Sequence, residues 1–522
     1  MELLKTCGTR IVNEKNEEIL LQGFGLGGWL LPEGYMWKLY TKCDRPRRME
    51  KLIEELCGPA YAESFWERYL DSYITRTDIA FIAQKGFNSI RLPLNARTLF
   101  NEETQSFYPG MIARIDKLIE WCREFGIYVI LDMHGAPGGQ TGTNIDDSEN
   151  DMPELFTVQK HREDLILLWS LLARRYKDEN YIAGYDLLNE PLPNWFGSYN
   201  GLVLPLYKDL AKAIRQVDTR HMLILEGVHW ATDFEIFDEL ESGEFDGNYM
   251  LQFHKYWSTP DIESIQKYVD CANKLNVPLF MGEGGENNLD WYAGFFNMLT
   301  GHGISYSFWS YKKMKCYNSP VTFEIPGGWD RLIEYMDNRA KLSLPEACDI
   351  FDGFIKEINR SVINNDVINA IRRQIPVSIP AEYFDEGCSV SRREKGAEIR
   401  MTEGITILFE NGKTGVPDYR RYGGEVQPDT ELVAVKLLGG EWVRYDFEVP
   451  EEGKYQIQVH CRAREDNTLA YIVTDRGISA DIKIGVQMSG INASGELFLE
   501  KGRHSIKICS KGIIYLSKIR IA

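Results

Sequence analysis

The sequence predicts an α/β fold, a (β/α)8 TIM barrel followed by an all-β sandwich domain. Three observations carry this. Eight short apolar runs alternate with helical patterns up to about residue 372. The stretch IPVSIP at 375–380 then holds two prolines in six residues and keeps neither a helical nor a strand period. Beyond it, apolar and polar residues largely alternate, as in half-buried antiparallel strands. The expected organisation is a barrel domain over 1–374, a linker at 375–380 and a β-sandwich over 381–522.

The eight runs are ILLQGFGLGGW from Ile19, IRLPL after Phe87, IYVILDMHG from Ile127, IAGYDLLNEP from Ile182, HMLILEGV from His221, MLQFHKYW from Met250, VPLFMGEGG from Val277 and GISYSFWSYK from Gly303. Between them, segments such as 111–126 and 162–179 repeat apolar residues at helical spacing. Continuous apolar strands separated by helices imply a parallel sheet covered on both faces. Eight such units in series imply closure into a barrel with long loops. After the break, 441–450, 454–463, 469–475, 496–502, 503–510 and 513–522 read as short alternating strands, several divided by glycine-containing turns.

Composition excludes several classes. The chain has 522 residues with 59 Lys+Arg against 77 Asp+Glu, a formal charge of −18, so a general nucleic-acid binder is not expected. No run of about 18 apolar residues occurs, so no membrane partner is expected. The ten cysteines form no C-x-x-C pair or zinc-like cluster and read as buried free thiols, as in a reducing compartment. The N-terminus shows no signal-peptide pattern; the chain as given reads as cytoplasmic, and as secreted if a leader has been removed.

Chemistry in a parallel barrel sits where strands end and βα loops begin. The polar residues there are Arg91, Asp132, His134, Asn189, Glu190, Glu226, His254, Tyr256, Glu283 and Trp309. A buried charge is costly unless paired or used, and packing alone does not explain a ring of them. Glu190 and Glu283, on the fourth and seventh runs, can meet across the barrel mouth. Glycoside hydrolysis needs such a pair, one carboxyl protonating the leaving oxygen and the other meeting the developing oxocarbenium ion.

IRLPL, DMHGAP, LLNEP, FHKYW, GE and FWSYK, in this order over about 19–340, resemble glycoside hydrolase family 5. The resemblance implies a retaining mechanism with Glu190 as acid/base and Glu283 as nucleophile. It implies that Arg91 and Tyr256 hydrogen-bond the nucleophile, that Asn189 holds the sugar 2-OH, that His134 and His254 line the subsite beside the cut, and that Trp309 is its stacking platform. No cofactor is implied for catalysis. Glu286 competes with Glu283 in GEGGE, but the family pattern puts the nucleophile directly after the strand. The two histidines and Trp309 also have core readings. Glu226 is read as structural, and Trp230 as either cleft wall or core. The long polar loop 138–151, with four acidic residues and no calcium-loop spacing, is read as solvated. Gly23–Gly28 fits G-x-G-x-x-G, but no helical stripe follows, so a nucleotide site is not expected; its glycines are read as a tight turn into the barrel mouth.

Residues 379–387, 439–463 and 499–508 resemble carbohydrate-binding β-sandwich modules of the family 6/35 type. That resemblance places Glu382 near a structural calcium ligand and Trp442 and Tyr445 on a core strand. Tyr419 and Tyr422 are read as turn packing, with exposed stacking rings as the alternative, and the module as either sugar-binding or a structural buttress. The expected activity is retaining hydrolysis of a β-linked glucan or oligosaccharide, at β-1,4 or β-1,3 bonds. The alternatives are transglycosylation and non-catalytic glycan binding on a degenerate barrel.

Overall fold

The computed structural model describes residues 1–390, 393–420, 422–426, 431–477, 479–487 and 489–522. Two compact units divide the chain. One comprises Met1–Lys255, Lys267–Gly285 and Ile304–Ile363; the other comprises Tyr256–Gln266, Glu286–Gly303 and Asn364–Ala522.

The first unit holds a closed parallel barrel of eight strands: β1 (Gln22–Gly25), β2 (Ser89–Asn95), β3 (Tyr128–Gly135), β4 (Ile182–Asp186), β5 (Met222–Glu226), β6 (Tyr249–His254), β7 (Leu279–Gly285) and β8 (Ser305–Trp309). Each strand pairs with the next in sequence, and β8 closes on β1. All eight fall on the expected apolar runs. Amphipathic segments such as Pro109–Phe125 and Gln159–Tyr176 form covering helices, burying Ile112, Ile115 and Ile119 in one case and Leu165, Leu168 and Leu172 in the other.

Strand periodicity divides the bore into two halves. Side chains two apart share a face. On β3, Tyr128 and Ile130 lie in an apolar cluster, followed at the same spacing by Asp132 and His134. On β5, Met222 and Ile224 precede Glu226; on β6, Met250 precedes Gln252 and His254. Leu4 and Ile11, from an N-terminal hairpin of Lys5–Cys7 and Arg10–Val12, join the apolar cluster. The amino end of the bore is therefore filled with apolar side chains, and the carboxyl end carries the charges. β7 breaks the period: Phe280 is in the apolar cluster, yet Glu283, three residues on, joins the charged end. Register shifts between Met281 and Gly284 and opposite Phe253/His254 supply the extra residue. Bulges re-aim side chains in this way.

In the second unit, β9 (Val377–Pro380), β10 (Glu386–Cys388), β11 (Thr406–Phe409), β12 (Val433–Leu437), β13 (Trp442–Val449), β14 (Gly453–Ala463), β15 (Thr468–Thr474), β16 (Ser479–Ile484), β17 (Ser489–Leu499), β18 (Gly502–Ser510) and β19 (Ile514–Ile521) form two antiparallel sheets. One runs β11-β12-β19-β14-β17, with β9 also on β19; the other runs β10-β13-β18-β15-β16. Ile407, Val435, Val459 and Ile519 of the first share one apolar core with Val443, Tyr445, Ile472 and Ile508 of the second.

The segment expected to be a linker contains β9. Val377 and Ile379 are buried, and the strand pairs antiparallel with β19 from Val377↔Ile521 to Pro380↔Lys518. The prolines flank a single apolar–polar–apolar triplet, too short to register as a period, and strand ends tolerate proline. In the same unit the helix Leu289–Gly301 packs on this region. A Cβ on Gly294 would lie 2.8 Å from the Tyr383 ring, and Arg373 Nε donates to the Ala293 carbonyl at 2.7 Å.

Candidate active site

Arg91 is the organising cation, fully buried within β2. Its Nη1 donates to Glu283 Oε1 at 2.6 Å, Nε to Asp186 Oδ2 at 2.7 Å, and Nη2 to Asn189 Oδ1 at 2.7 Å and Glu226 Oε1 at 3.0 Å. Asp132 Oδ1 lies 3.1 Å from the same Nη2. A planar guanidinium serves several acceptors in fixed directions, so Arg91 sets the relative positions of β2, β4, β5 and β7 at the charged end.

Glu190 lies in the loop after β4, and its backbone takes the left-handed conformation, φ +43°. That conformation is costly for a residue with a Cβ, by about 1–3 kcal/mol, and persists where surroundings over-determine it. Here Glu226 Oε2 accepts from the Glu190 backbone N–H at 2.7 Å, and Asn189 N donates to the Met133 carbonyl at 3.0 Å. Gln140 adds a brace, donating to the Asn189 and His134 carbonyls at 2.9 and 2.7 Å.

The two carboxylates come together. Glu190, His254 and Glu283 each offer an atom, and the three atoms lie within 4.8 Å of one another. His254 Nδ1 is 2.6 Å from Glu190 Oε1 and 3.5 Å from Glu283 Oε2, while its Nε2 is 3.4 Å from Glu226 Oε1. His134 Nδ1 is 2.8 Å from Asp132 Oδ2, and its Nε2 is 3.5 Å from the Asn189 amide nitrogen.

Four carboxyl groups crowd one arginine, so protons must be shared. Burial pushes Asp132 well above the usual carboxylate range, against the pull of Arg91. Burial raises Asp186 to about 6 and also raises Glu226. His134 is lowered to about 4, mainly by burial, and is neutral near pH 7. Burial also disfavours charge on His254, but Glu226 and Glu283 outweigh it and hold His254 well above the ordinary histidine value.

Trp309 ends β8 and stacks on His134, with centroids 5.3 Å apart and planes 11° apart. It is only 3% exposed, and its Nε1 donates to Tyr35 Oη at 3.0 Å. The glycine run of β1 is explained here. A Cβ on Gly25 or Gly27 would fall 2.5 or 2.6 Å from the Trp309 ring. These glycines make room for an indole, and only Gly28, at φ +83°, takes the left-handed conformation within the run. Tyr256, two residues beyond β6, belongs to the second unit; it is buried, and its carbonyl accepts from Asn287 Nδ2 at 2.9 Å.

Three readings gain detail. Glu226, taken as structural, lies at the centre of the charged cluster; its place at the end of a strand was the available signal. The loop 138–151 is packed in its first part and solvated at its end: Gln140, Thr141, Asp146, Asp147 and Ser148 are all buried, whereas Glu149, Asn150 and Asp151 are exposed. Asp146 accepts from the N–H groups of Thr141, Gly142 and Ser148, and Asn95 donates to Asp147 at 2.9 Å. Acidic side chains that tie their own loop read as solvent-facing when only composition is visible. Glu382, expected near a calcium site, belongs to no cluster of three ligand atoms among the described residues. Burial raises it to about 8, with Asp290 adding to the rise and Lys518 and Arg400 opposing it.

Glu286 is buried, and its carbonyl accepts from Tyr422 N at 2.6 Å. Tyr419 packs against the sandwich core, its Oη accepting from Tyr383 Oη at 3.2 Å. Tyr445 is buried and donates to the Ala381 carbonyl at 2.7 Å; Trp442 is half-buried, with Lys507 Nζ 3.5 Å from its ring centre. Glu102, His161 and Asp164 form a second cluster of potential ligands, but Lys160 already pairs with Asp164. All ten cysteines are free. Among the described residues, no helix is long and apolar enough to cross a membrane.

A family model described as cellulase (glycosyl hydrolase family 5) matches residues 57–315. The chain carries a glycosyl hydrolase family 5 domain. A β-xylosidase of Phanerodontia chrysosporium is 33% identical over 242 residues, covering 46% of this chain and 49% of that protein. The chain thus spans about half the length of that relative. Endoglucanase C of Acetivibrio thermocellus is 25% identical over 329 residues, covering 50% of this chain and 92% of its own. Among solved structures, an endogalactoceramidase aligns over 99% of this chain and 100% of its own, with a TM-score of 0.50 and 15% identity, a likeness of fold.

Proposed function

We propose that this protein is a retaining β-glycoside hydrolase acting on β-glucan-type poly- or oligosaccharides. The observation that carries this is the convergence of Glu190 and Glu283 to within 4.8 Å. Retaining enzymes hold their two carboxyl groups about 5–5.5 Å apart, whereas inverting enzymes leave about 6.5–9.5 Å for a water.

Protonated Glu190 gives its proton to the glycosidic oxygen as the C–O bond breaks. Glu283 attacks the anomeric carbon and forms a glycosyl ester. Glu190, now a carboxylate, takes a proton from water; the water oxygen attacks the same carbon, and the Glu283 ester bond breaks. Arg91 fixes Glu283 throughout. Asn189, with its Oδ1 held by Arg91, keeps its amide N–H for the sugar 2-OH, and His134, His254 and Trp309 line the same subsite. Tyr256 is assigned to the nucleophile side. No step needs a cofactor, because the two carboxylates supply both proton and nucleophile. In the second unit, two antiparallel sheets over one apolar core support a carbohydrate-binding-like module.

The test is a panel of β-1,4- and β-1,3-glucan oligosaccharides, mannan oligosaccharides and β-xylosides, read by chromatography. Glu190→Ala and Glu283→Ala should each lower kcat by at least about 1,000-fold on whichever substrate is cleaved. Added azide should rescue the Glu283 variant and yield a glycosyl azide of inverted configuration. Near wild-type rates in both variants would remove the assignment.

A further inference from the structure

Beyond the charged cluster, the loops after β4 and β5 carry a group of aromatic rings that the proposed chemistry does not use. Trp195 is 64% exposed, an unusual state for the side chain with the largest apolar surface. Trp230 is half-buried, and its ring meets that of Trp195 at 5.3 Å and 75°. The two indoles form a right-angled corner, one ring as floor and the other as wall. Phe196 backs Trp195 at 6.4 Å.

The backbone is built to hold this corner. His229, Trp230 and Ala231 take left-handed conformations in succession, with φ of 54°, 58° and 57°. Three such residues without a glycine store strain of about 1–3 kcal/mol each, which must be offset locally. The offsets join the two loops: His229 N donates to the Leu192 carbonyl at 2.9 Å, and the His229 ring lies 3.1 Å from the Asn200 amide nitrogen. Leu192 is two residues from Glu190, and Trp195 is five. Five residues of chain span at most about 18 Å, so the corner stands at the same end of the barrel, within that reach of the proton donor.

Position gives the role. Glu190 would deliver its proton to the leaving-group oxygen, so surfaces carried by its own loop face the departing half of the substrate. We propose that Trp195 and Trp230 form a leaving-group subsite in which the apolar face of a pyranose ring seats on one indole with its edge against the other. This rests on the hydrolase reading above, and it makes the two tryptophans specificity-determining residues for the sugar that departs.

The experiment compares two substrates sharing one glycone on the full chain. Glucotriose has a ring to place in the corner; β-glucosyl fluoride does not. Trp195→Ala and Trp230→Ala should each lower kcat/KM on glucotriose by about three- to tenfold, the worth of one aromatic stacking contact. Both should stay within twofold of wild type on the fluoride, and Trp195→Phe should recover most of the loss. Equal losses on both substrates would mean a structural role and overturn the proposal, as would no loss on glucotriose. Loss on an aryl β-glucoside without loss on glucotriose would overturn the pyranose assignment. If the wild type cleaves nothing in the panel, the hydrolase reading fails by itself. Calorimetric titration with glucotriose then decides the corner: binding that Trp195→Ala abolishes supports it, and unchanged or absent binding ends it.

Discussion

Glu226 touches three groups that the proposed reaction uses. Its Oε2 holds the Glu190 backbone, its Oε1 accepts from Arg91, and it lies 3.4 Å from His254. Removing its charge while keeping its shape should loosen the strained turn at Glu190 and lower the proton affinity of His254. Glu226→Gln is expected to reduce kcat by about 10- to 100-fold, the usual effect of sub-ångström misplacement of a reacting group. The sign of the pH effect follows from charge. Glu226 and Glu283 raise His254 against its burial, so the variant's histidine deprotonates at lower pH, and the alkaline limb of kcat/KM should move down. A pH–rate profile with an unmoved alkaline limb would show that His254 charge does not matter. The residue scale also shows what sequence conveys poorly. The proposed catalytic pair stands out because two glutamates end two apolar runs within NEP and GEGG. Glu226 stands in an equivalent place, but its partners are brought to it from β2, β4 and β6, and no local pattern announces that.

At the scale of the element, strand periodicity made the barrel readable: eight apolar runs became eight strands, although β2 runs past Arg91 to Asn95 and β4 stops at Asp186, ahead of Asn189 and Glu190. What was hidden were departures from that period. The bulge in β7 lets Phe280 and Glu283 face the same bore despite odd spacing, and a single inserted residue leaves no compositional trace. The glycine run that begins in β1 marks a contact as well as the turn at 27–28, because the ring that Gly25 and Gly27 accommodate comes from β8, at the far end of the barrel's sequence. Gly27→Ala puts a Cβ 2.6 Å from Trp309, so the indole or the strand must shift. Overpacking of this kind costs about 1–3 kcal/mol. The expected outcome is a Tm lowered by several degrees with kcat/KM reduced more than in an exposed control such as Gly247→Ala, measured by thermal melt and initial rates. An unchanged Tm and unchanged rates would show that Trp309 has slack.

For the whole molecule, the change from helical alternation to strand alternation announced two architectures correctly. The boundary was less legible. The units interleave, because Tyr256–Gln266 and Glu286–Gly303 group with residues 364–522. Sequence order cannot show that Gly294 has lost its side chain to fit Tyr383, or that Arg373 spans Ala293, Tyr383 and Asp385. A chain ended at Ile363 strips those partners from the helix Leu289–Gly301 and leaves Phe295, Phe296 and their neighbours facing water. Such exposure of a buried apolar face favours aggregation. The truncated protein should be poorly soluble or melt at least about 10 °C below the full chain, whereas a stable, fully active fragment would show that the second unit contributes nothing to the fold.

The same interleaving bears on anyone who would recombine this chain with others. A foreign sandwich joined at 363 brings no aromatic ring to the notch at Gly294. A working chimaera must carry its own version of 286–303 along with the new module, so the inheritable block is discontinuous in the gene although compact in space.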